Sequence, residues 1–163
     1  MRLFALALSA LLLAGCAHPW NAVGMAPGTP RDEVLAKAGP PTRSLRMPDG
    51  MERLQYSLQP FGRQSFNLDF DGQGRLVQAY QSLTQANLQR IEPNVWTVAD
   101  VEREFGPPGL IDGVYSWNGP VLTYYWRDFA GGSNMYYWVY LDPQGVVRRA
   151  HPGIEHINGP NRK

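Results

Sequence analysis

The chain has 163 residues, 18% of them charged and 12% aromatic, with 15 Lys+Arg against 14 Asp+Glu. That length holds one ordinary domain or two small ones, and the composition excludes an intrinsically disordered chain. With balanced charge and no basic stripe, the chain lacks the field that holds nucleic acid.

Met1-Arg2 makes a positive start, Leu3 to Leu13 an apolar run, and Ala14 and Gly15 place small residues before Cys16. The run is too short to cross a bilayer, which takes roughly 20 residues; its flanks give it the anatomy of a secretory signal peptide. Leu13-Ala14-Gly15-Cys16 resembles the bacterial lipobox. There the cysteine is thioether-linked to diacylglycerol, N-acylated, and left as the mature N-terminus. The alternatives are a plain signal peptide with an incidental cysteine, or an uncleaved anchor. Cys16 is the only cysteine, so no intramolecular disulfide is available in an oxidising compartment. The lipobox resemblance implies a signal peptide over residues 1–15 and a lipidated N-terminus and tether over 16–26. One acyl chain, at about 0.8 kcal/mol per buried methylene, binds only marginally; the three chains usual for such lipoproteins make release negligible. Ala17, not Asp, follows the cysteine. By the usual sorting pattern this implies the periplasmic face of the outer membrane in a Gram-negative bacterium.

The rest of the chain reads as two similar units, 27–80 and 81–152, with a tail over 153–163. Pro19 to Val23 is a short, weak helical start. Thr29-Pro30-Arg31-Asp32 then has the pattern of a helix N-terminus: Thr as N-cap, an acid three residues on, and Pro at the first helical position. Val34 and Leu35 supply its apolar stripe, and Gly39-Pro40-Pro41 stops it. Strand candidates follow at Thr42 to Arg46 and Glu52 to Leu58, then an alternating hairpin from Ser65 to Val77. The second unit repeats this order. Leu83 to Ile91 predicts a helix, and Thr97 with Asp100 opens another, carrying Val101 and Phe105 and ending at Gly106-Pro107-Pro108. Strand candidates lie at Ile111 to Ser116 and Val121 to Trp126, before a hairpin from Tyr136 to Arg148. In the hairpins Asp71-Gly72-Gln73-Gly74 falls on Asp142-Pro143-Gln144-Gly145. The expected fold is α+β: two tandem helix-helix-three-stranded antiparallel sheet units, each sheet burying one face under its helices.

These motifs resemble those of the SmpA/OmlA (BamE-like) outer-membrane lipoproteins. The carriers are Thr29, Val34, Gly39, Pro40, Leu54, Tyr56, Phe70, Asp71 and Gly74 in the first unit. In the second they are Thr97, Val101, Gly106, Pro107, Leu122, Tyr124, Leu141, Asp142 and Gly145. The resemblance covers nearly all of the chain after Cys16 and implies two helices and a three-stranded sheet per unit. The same fold is found as a tandem in the β-lactamase inhibitor protein. Two departures stand out: the family's namesake is a single unit, and no match to its partner-contact surface is found here.

Asp69-Phe70-Asp71-Gly72-Gln73-Gly74-Arg75 can be read as the start of a calcium loop or as a turn. As an EF-hand its ninth position would be Val77 and its twelfth Tyr80, where a bidentate Glu is required. The turn reading needs only Asp to bond its own backbone and Gly for positive φ. His18, His151 and His156 read as surface residues in tethers, with no converging metal ligands. Neither a nucleophile elbow, a phosphate loop nor an HExxH is present. No catalytic or metal residue is therefore expected, and no cofactor beyond the diacylglycerol and N-acyl chain on Cys16. No small-molecule substrate and no nucleic acid are inferred.

The two hairpins differ in one respect that bears on function. Phe66, Leu68 and Phe70 are expected in the core, with Ser65, Asn67 and Asp69 outside. In the second copy Tyr137, Val139 and Leu141 take the core face, which leaves Tyr136, Trp138 and Tyr140 outside, joined by Tyr125. An aromatic stripe where the sister copy is polar is a candidate partner-binding surface, unless the first unit or the loop Phe129 to Asn134 covers it. The expected protein is a non-catalytic binding or scaffold lipoprotein serving envelope or outer-membrane protein assembly. It meets the membrane through its anchor and a periplasmic or outer-membrane protein through this face. The alternative is a proteinaceous inhibitor or modulator of a periplasmic enzyme.

Overall fold

The computed structural model describes residues 17–154; Cys16 and His156 lie outside them. A 3-10 turn at Pro19–Ala22 leads into α1 (Arg31–Ala38) and four strands: β1 (Arg43–Arg46), β2 (Glu52–Ser57), β3 (Ser65–Phe70) and β4 (Leu76–Gln81). The order then recurs as α2 (Gln85–Leu88), α3 (Val98–Phe105), β5 (Leu110–Gly113), β6 (Pro120–Arg127), β7 (Asn134–Leu141) and β8 (Val147–Ile154). Each set of four strands is an antiparallel meander in chain order.

This corrects the expected fold class. The protein is mostly antiparallel sheet, with four strands in each sheet and little helix, not two helix-helix-three-stranded units. The missing strand is the far arm of each hairpin. After the Asp–Gly turn the chain does not merely resume; it runs on as a full strand, β4 against β3 and β8 against β7. The expected first helices shrink to four residues each, Pro19–Ala22 and Gln85–Leu88. Helix nucleation is unfavourable, and Leu88 is the one residue α2 buries.

Both turns form as Asx turns. The Asp71 carboxylate accepts from the backbone N–H groups of Gln73 (2.9 Å) and Arg75 (2.8 Å). That of Asp142 accepts from Gln144 (3.0 Å) and Val146 (2.9 Å). Gly74 and Gly145 take the positive φ these turns require, 70° and 80°. Asp69, the other acid of the calcium reading, points away into an ion pair with Arg53.

α3 carries the expected capping box between Thr97 and Asp100. α1 does not: its N-cap is Pro30, and the Thr29 hydroxyl donates to the Ala26 carbonyl instead. The reason is a bridge to the turn. Pro30 pairs with Arg75 just as Thr97 pairs with Val146, so Pro30, not Thr29, is the structural counterpart of Thr97.

Two cores result. Val34, Leu54, Phe66, Leu68, Phe70 and Leu76 centre the first. Val101, Phe105, Leu122, Tyr124, Val139 and Leu141 centre the second. A matching tie closes each helix onto its sheet: Tyr56 Oη donates to the Gly39 carbonyl (2.9 Å) and Tyr124 Oη to that of Gly106 (2.8 Å).

The outer face of the first sheet is not exposed, contrary to expectation. Ser65, Asn67 and Asp69 are fully buried, because the C-terminal end of α3 lies across them. A helix end leaves backbone carbonyls without intrahelical partners, and this sheet supplies donors. Gln55 Nε2 donates to the Glu102 and Arg103 carbonyls (3.2 and 3.1 Å), Arg53 to the Arg103 carbonyl (3.1 Å), and Asn67 Nδ2 to that of Glu104 (2.7 Å). The Glu104 carboxylate accepts from Arg53 (3.1 Å) and Tyr80 (3.0 Å). Arg53 forks onto Asp69 at 2.6 and 2.8 Å. The side chains of Arg53, Gln55, Asn67 and Asp69 are thus paired, which removes the usual cost of burying them; the Ser65 hydroxyl is buried without a hydrogen-bond partner.

Candidate partner-binding face

Strand alternation sends Leu122, Tyr124 and Trp126 of β6 and Tyr137, Val139 and Leu141 of β7 into the second core. Their neighbours face the other way, and pairing brings them together: Tyr125 opposite Tyr136, Thr123 opposite Trp138, Val121 opposite Tyr140. All four aromatics expected at the site therefore share one face, each half-buried.

The rings form a continuous run. Centroid separations are 5.5 Å from Tyr125 to Tyr136 and 5.7 Å from Tyr136 to Trp138. The run continues through His151, 5.4 Å from Trp138 and stacked 5.5 Å from Tyr140, and ends at Trp117, 5.3 Å from Tyr140. These spacings lie in the range where aromatic pairs attract beyond simple burial. His151 was read as a tail residue; it stands in β8 opposite Trp138.

Several groups hold the rings in place. Trp117 Nε1 donates to the Leu141 carbonyl (2.7 Å), which seats the indole beside Tyr140. The Arg149 guanidinium lies 4.4 Å from the Tyr140 ring centroid, a cation–π distance. Trp138 lies over Gly153 and Tyr125 over Gly109, so closely that a Cβ at either glycine would collide with the ring. None of Trp117, Gly109 or Gly153 was singled out from the sequence, and His151 was weighed there only as a tether residue. Pairing of β7 with β8 brings in His151 and Gly153, while the Gly109 N–H donates to the Thr123 carbonyl of β6 and Trp117 reaches over from the β5–β6 connection; only the alternation of β8 could have flagged His151.

Neither expected cover closes the face. The first sheet's β2–β3 connection reaches only the Tyr125 corner: Gln59 Nε2 donates to the Tyr125 carbonyl (2.6 Å), and Arg63 stands 5.9 Å from the ring. In the β6–β7 loop Phe129 is exposed. What remains is an open cavity of about 430 Å³, within the size range of ligand sites, roughly 300–1,000 Å³. Val121 and Thr123 form its floor, Tyr125, Tyr136, Trp138 and Tyr140 one wall, and Leu110, Asp112 and Val114 the other. The site has apolar surface, hydroxyls and one carboxylate. It offers a surface for binding.

No family model matches the chain, and no curated protein matches it.

Proposed function

We propose that this chain is a non-catalytic binding lipoprotein, held by acyl chains on Cys16 at the periplasmic face of the outer membrane. Its aromatic face takes hold of an envelope protein, in keeping with a role in envelope or outer-membrane protein assembly. The observation that carries the reading is the asymmetry between the sheets. One outer face is closed by α3, while its counterpart presents preset aromatic rings around an open cavity. Rigid aromatics bury much area at small entropic cost, which is why they anchor interfaces.

The reading is tested with the full chain expressed in cells. Changing Tyr136, Trp138 and Tyr140 together to Ser is expected to abolish crosslinked partners, while Cys16→Ser blocks palmitate incorporation and releases the chain from membranes. Recovery of the same partners in the same yield by the triple variant would rule out the face. If the prey were a soluble enzyme whose activity the chain suppresses, the role would be inhibition rather than assembly.

A further inference from the structure

We infer that the aromatic face receives an amphipathic helix of the partner protein across β6 and β7, at the positions where β2 and β3 hold the end of α3. This rests on the reading of that face as the binding site and adds the form and chemistry of what binds there.

The two sheets correspond position by position, with the Tyr56 and Tyr124 ties as a common reference. From their registers Arg53 corresponds to Val121, Gln55 to Thr123, Asn67 to Trp138, Asp69 to Tyr140 and Arg43 to Leu110. In the first sheet these positions form the seat of a helix. In the second the same seat is an open cavity. The chain thus shows within itself what this surface accommodates.

The chemistry of the seat has been inverted. Arg43, Arg53, Gln55 and Asn67 all donate to carbonyls at the end of α3; their counterparts Leu110, Val121, Thr123 and Trp138 offer an apolar surface but for the one hydroxyl. The second seat therefore suits the apolar side of a helix and not its polar end. Leu, Met or aromatic anchors three and four residues apart would enter between the rings, the usual mode of a helix in a groove. Charge sets the flanks: Asp112 lines the β5 side, and Arg149 stands over Tyr140 on the β8 side. A basic residue on one edge of the helix and an acidic one on the other complete the match.

A second copy of the chain is disfavoured as the occupant. The element equivalent to α3 is α1, whose apolar side, Val34, Leu35 and Ala38, is already taken up by the first core, and its end is closed as well. The Lys37 carbonyl accepts from the His18 backbone N–H (3.0 Å) and from Asn21 Nδ2 (3.3 Å). A Cβ at Gly39 would stand 3.4 Å from Ala17 Cβ.

The test uses the full chain in intact envelopes, with a photo-crosslinking phenylalanine analogue placed in turn at Leu110, Thr123 and Tyr136. Adducts are mapped to residues on the captured protein. The expected result is one segment of the partner, its adducts three or four residues apart. Trp138→Ser, and separately Tyr140→Ser in case the first variant misfolds, should each cut the adduct yield about tenfold or more. Adducts at alternate residues of an extended segment would overturn the helix, as would adducts to a second copy of this chain or to a glycan, while leaving the face a binding site. Absence of any adduct at all three positions would overturn the binding site itself.

Discussion

At Gly153 the missing side chain is what lets Trp138 lie across β8, because a Cβ there would stand inside the indole. The ring's position in the run between Tyr136 and His151 depends on that space. Gly153→Ala is therefore expected to push the indole out of its seat. Overpacking of this kind costs about 1–3 kcal/mol, and the displaced ring should change near-ultraviolet circular dichroism and weaken partner capture. Gly113→Ala is the matched control. It also lies in a strand, has ordinary φ and meets nothing within 4 Å, so its effect should stay within about 0.5 kcal/mol. Urea unfolding of the two variants, run side by side, checks the contrast. Equal stability and unchanged Trp138 signals in Gly153→Ala would show that the glycine does not seat the indole.

Between elements, the contact that decides the architecture is the end of α3 on the first sheet. Its centre is the ion pair of Arg53 and Asp69, whose side chains are 5% and 0% exposed. Asp69→Ala would leave a buried guanidinium with Glu104 as its remaining carboxylate partner and would strip Gln78 of its acceptor. Loss of one partner of such a pair costs about 3–5 kcal/mol, measurable as a lowered urea midpoint. A cost under about 1 kcal/mol would mean that water, and not protein, surrounds the pair. This contact also explains what the sequence did and did not reveal. Period-two alternation is local, so the core faces Phe66-Leu68-Phe70 and Tyr137-Val139-Leu141 were legible, as were the Asp–Gly turns between the hairpin arms. The burial of Ser65, Asn67 and Asp69 was not, since the partner of Asn67 lies more than thirty residues away at Glu104 and that of Asp69 arrives from a neighbouring strand at Arg53. The run of Arg53 and Gln55 alternating with Leu54 and Tyr56 held a trace of it, a polar stripe rich enough in donors to seat a helix end. Helix extent was misread for a different reason. Thr29 has a capping residue's chemistry, but the bridge from Pro30 to Arg75 fixes where α1 starts.

Across the whole molecule, the start of the described region would constrain how the fold sits on a membrane under the proposed lipidation. Residues 18–25, expected as a tether, pack onto the first core: Ala22 is fully buried, and the Trp20 ring meets Phe66 edge-on at 4.9 Å. With lipidation at Cys16, the first sheet would ride close to the bilayer and little slack would separate anchor from fold. The pH response belongs to this scale too. Burial pushes the Tyr56 and Tyr80 phenols up to about 12 and raises those of Tyr124 and Tyr137. The folded chain holds these protons where the unfolded chain, near its ordinary value of about 10, releases them. Their contribution to stability is whole below pH about 10; that of Tyr56 and Tyr80 is lost as pH rises through about 12, and that of Tyr124 and Tyr137 is lost likewise as their raised values are passed. On the acid side, the Val146 backbone N–H holds Asp142 below the usual carboxylate value, and the Ser44 hydroxyl does so for Glu52. Stability from these two is present above the carboxylate range and lost as pH falls below it. Urea midpoints measured against pH should fall at both extremes, the alkaline fall tracking phenolate absorbance. A midpoint flat through the alkaline range would contradict the burial of these four tyrosines. Under the proposed function, the second sheet's aromatic face stands open in the chain alone and is covered by a partner in the envelope. Oxidative footprinting read at single residues, on the purified full chain and on the same chain in intact cells, tests it most directly. Tyr136 and Trp138 are expected to react in the purified chain and to be protected in cells, with buried Tyr124 protected in both. Equal reactivity of Tyr136 and Trp138 in the two settings would contradict it.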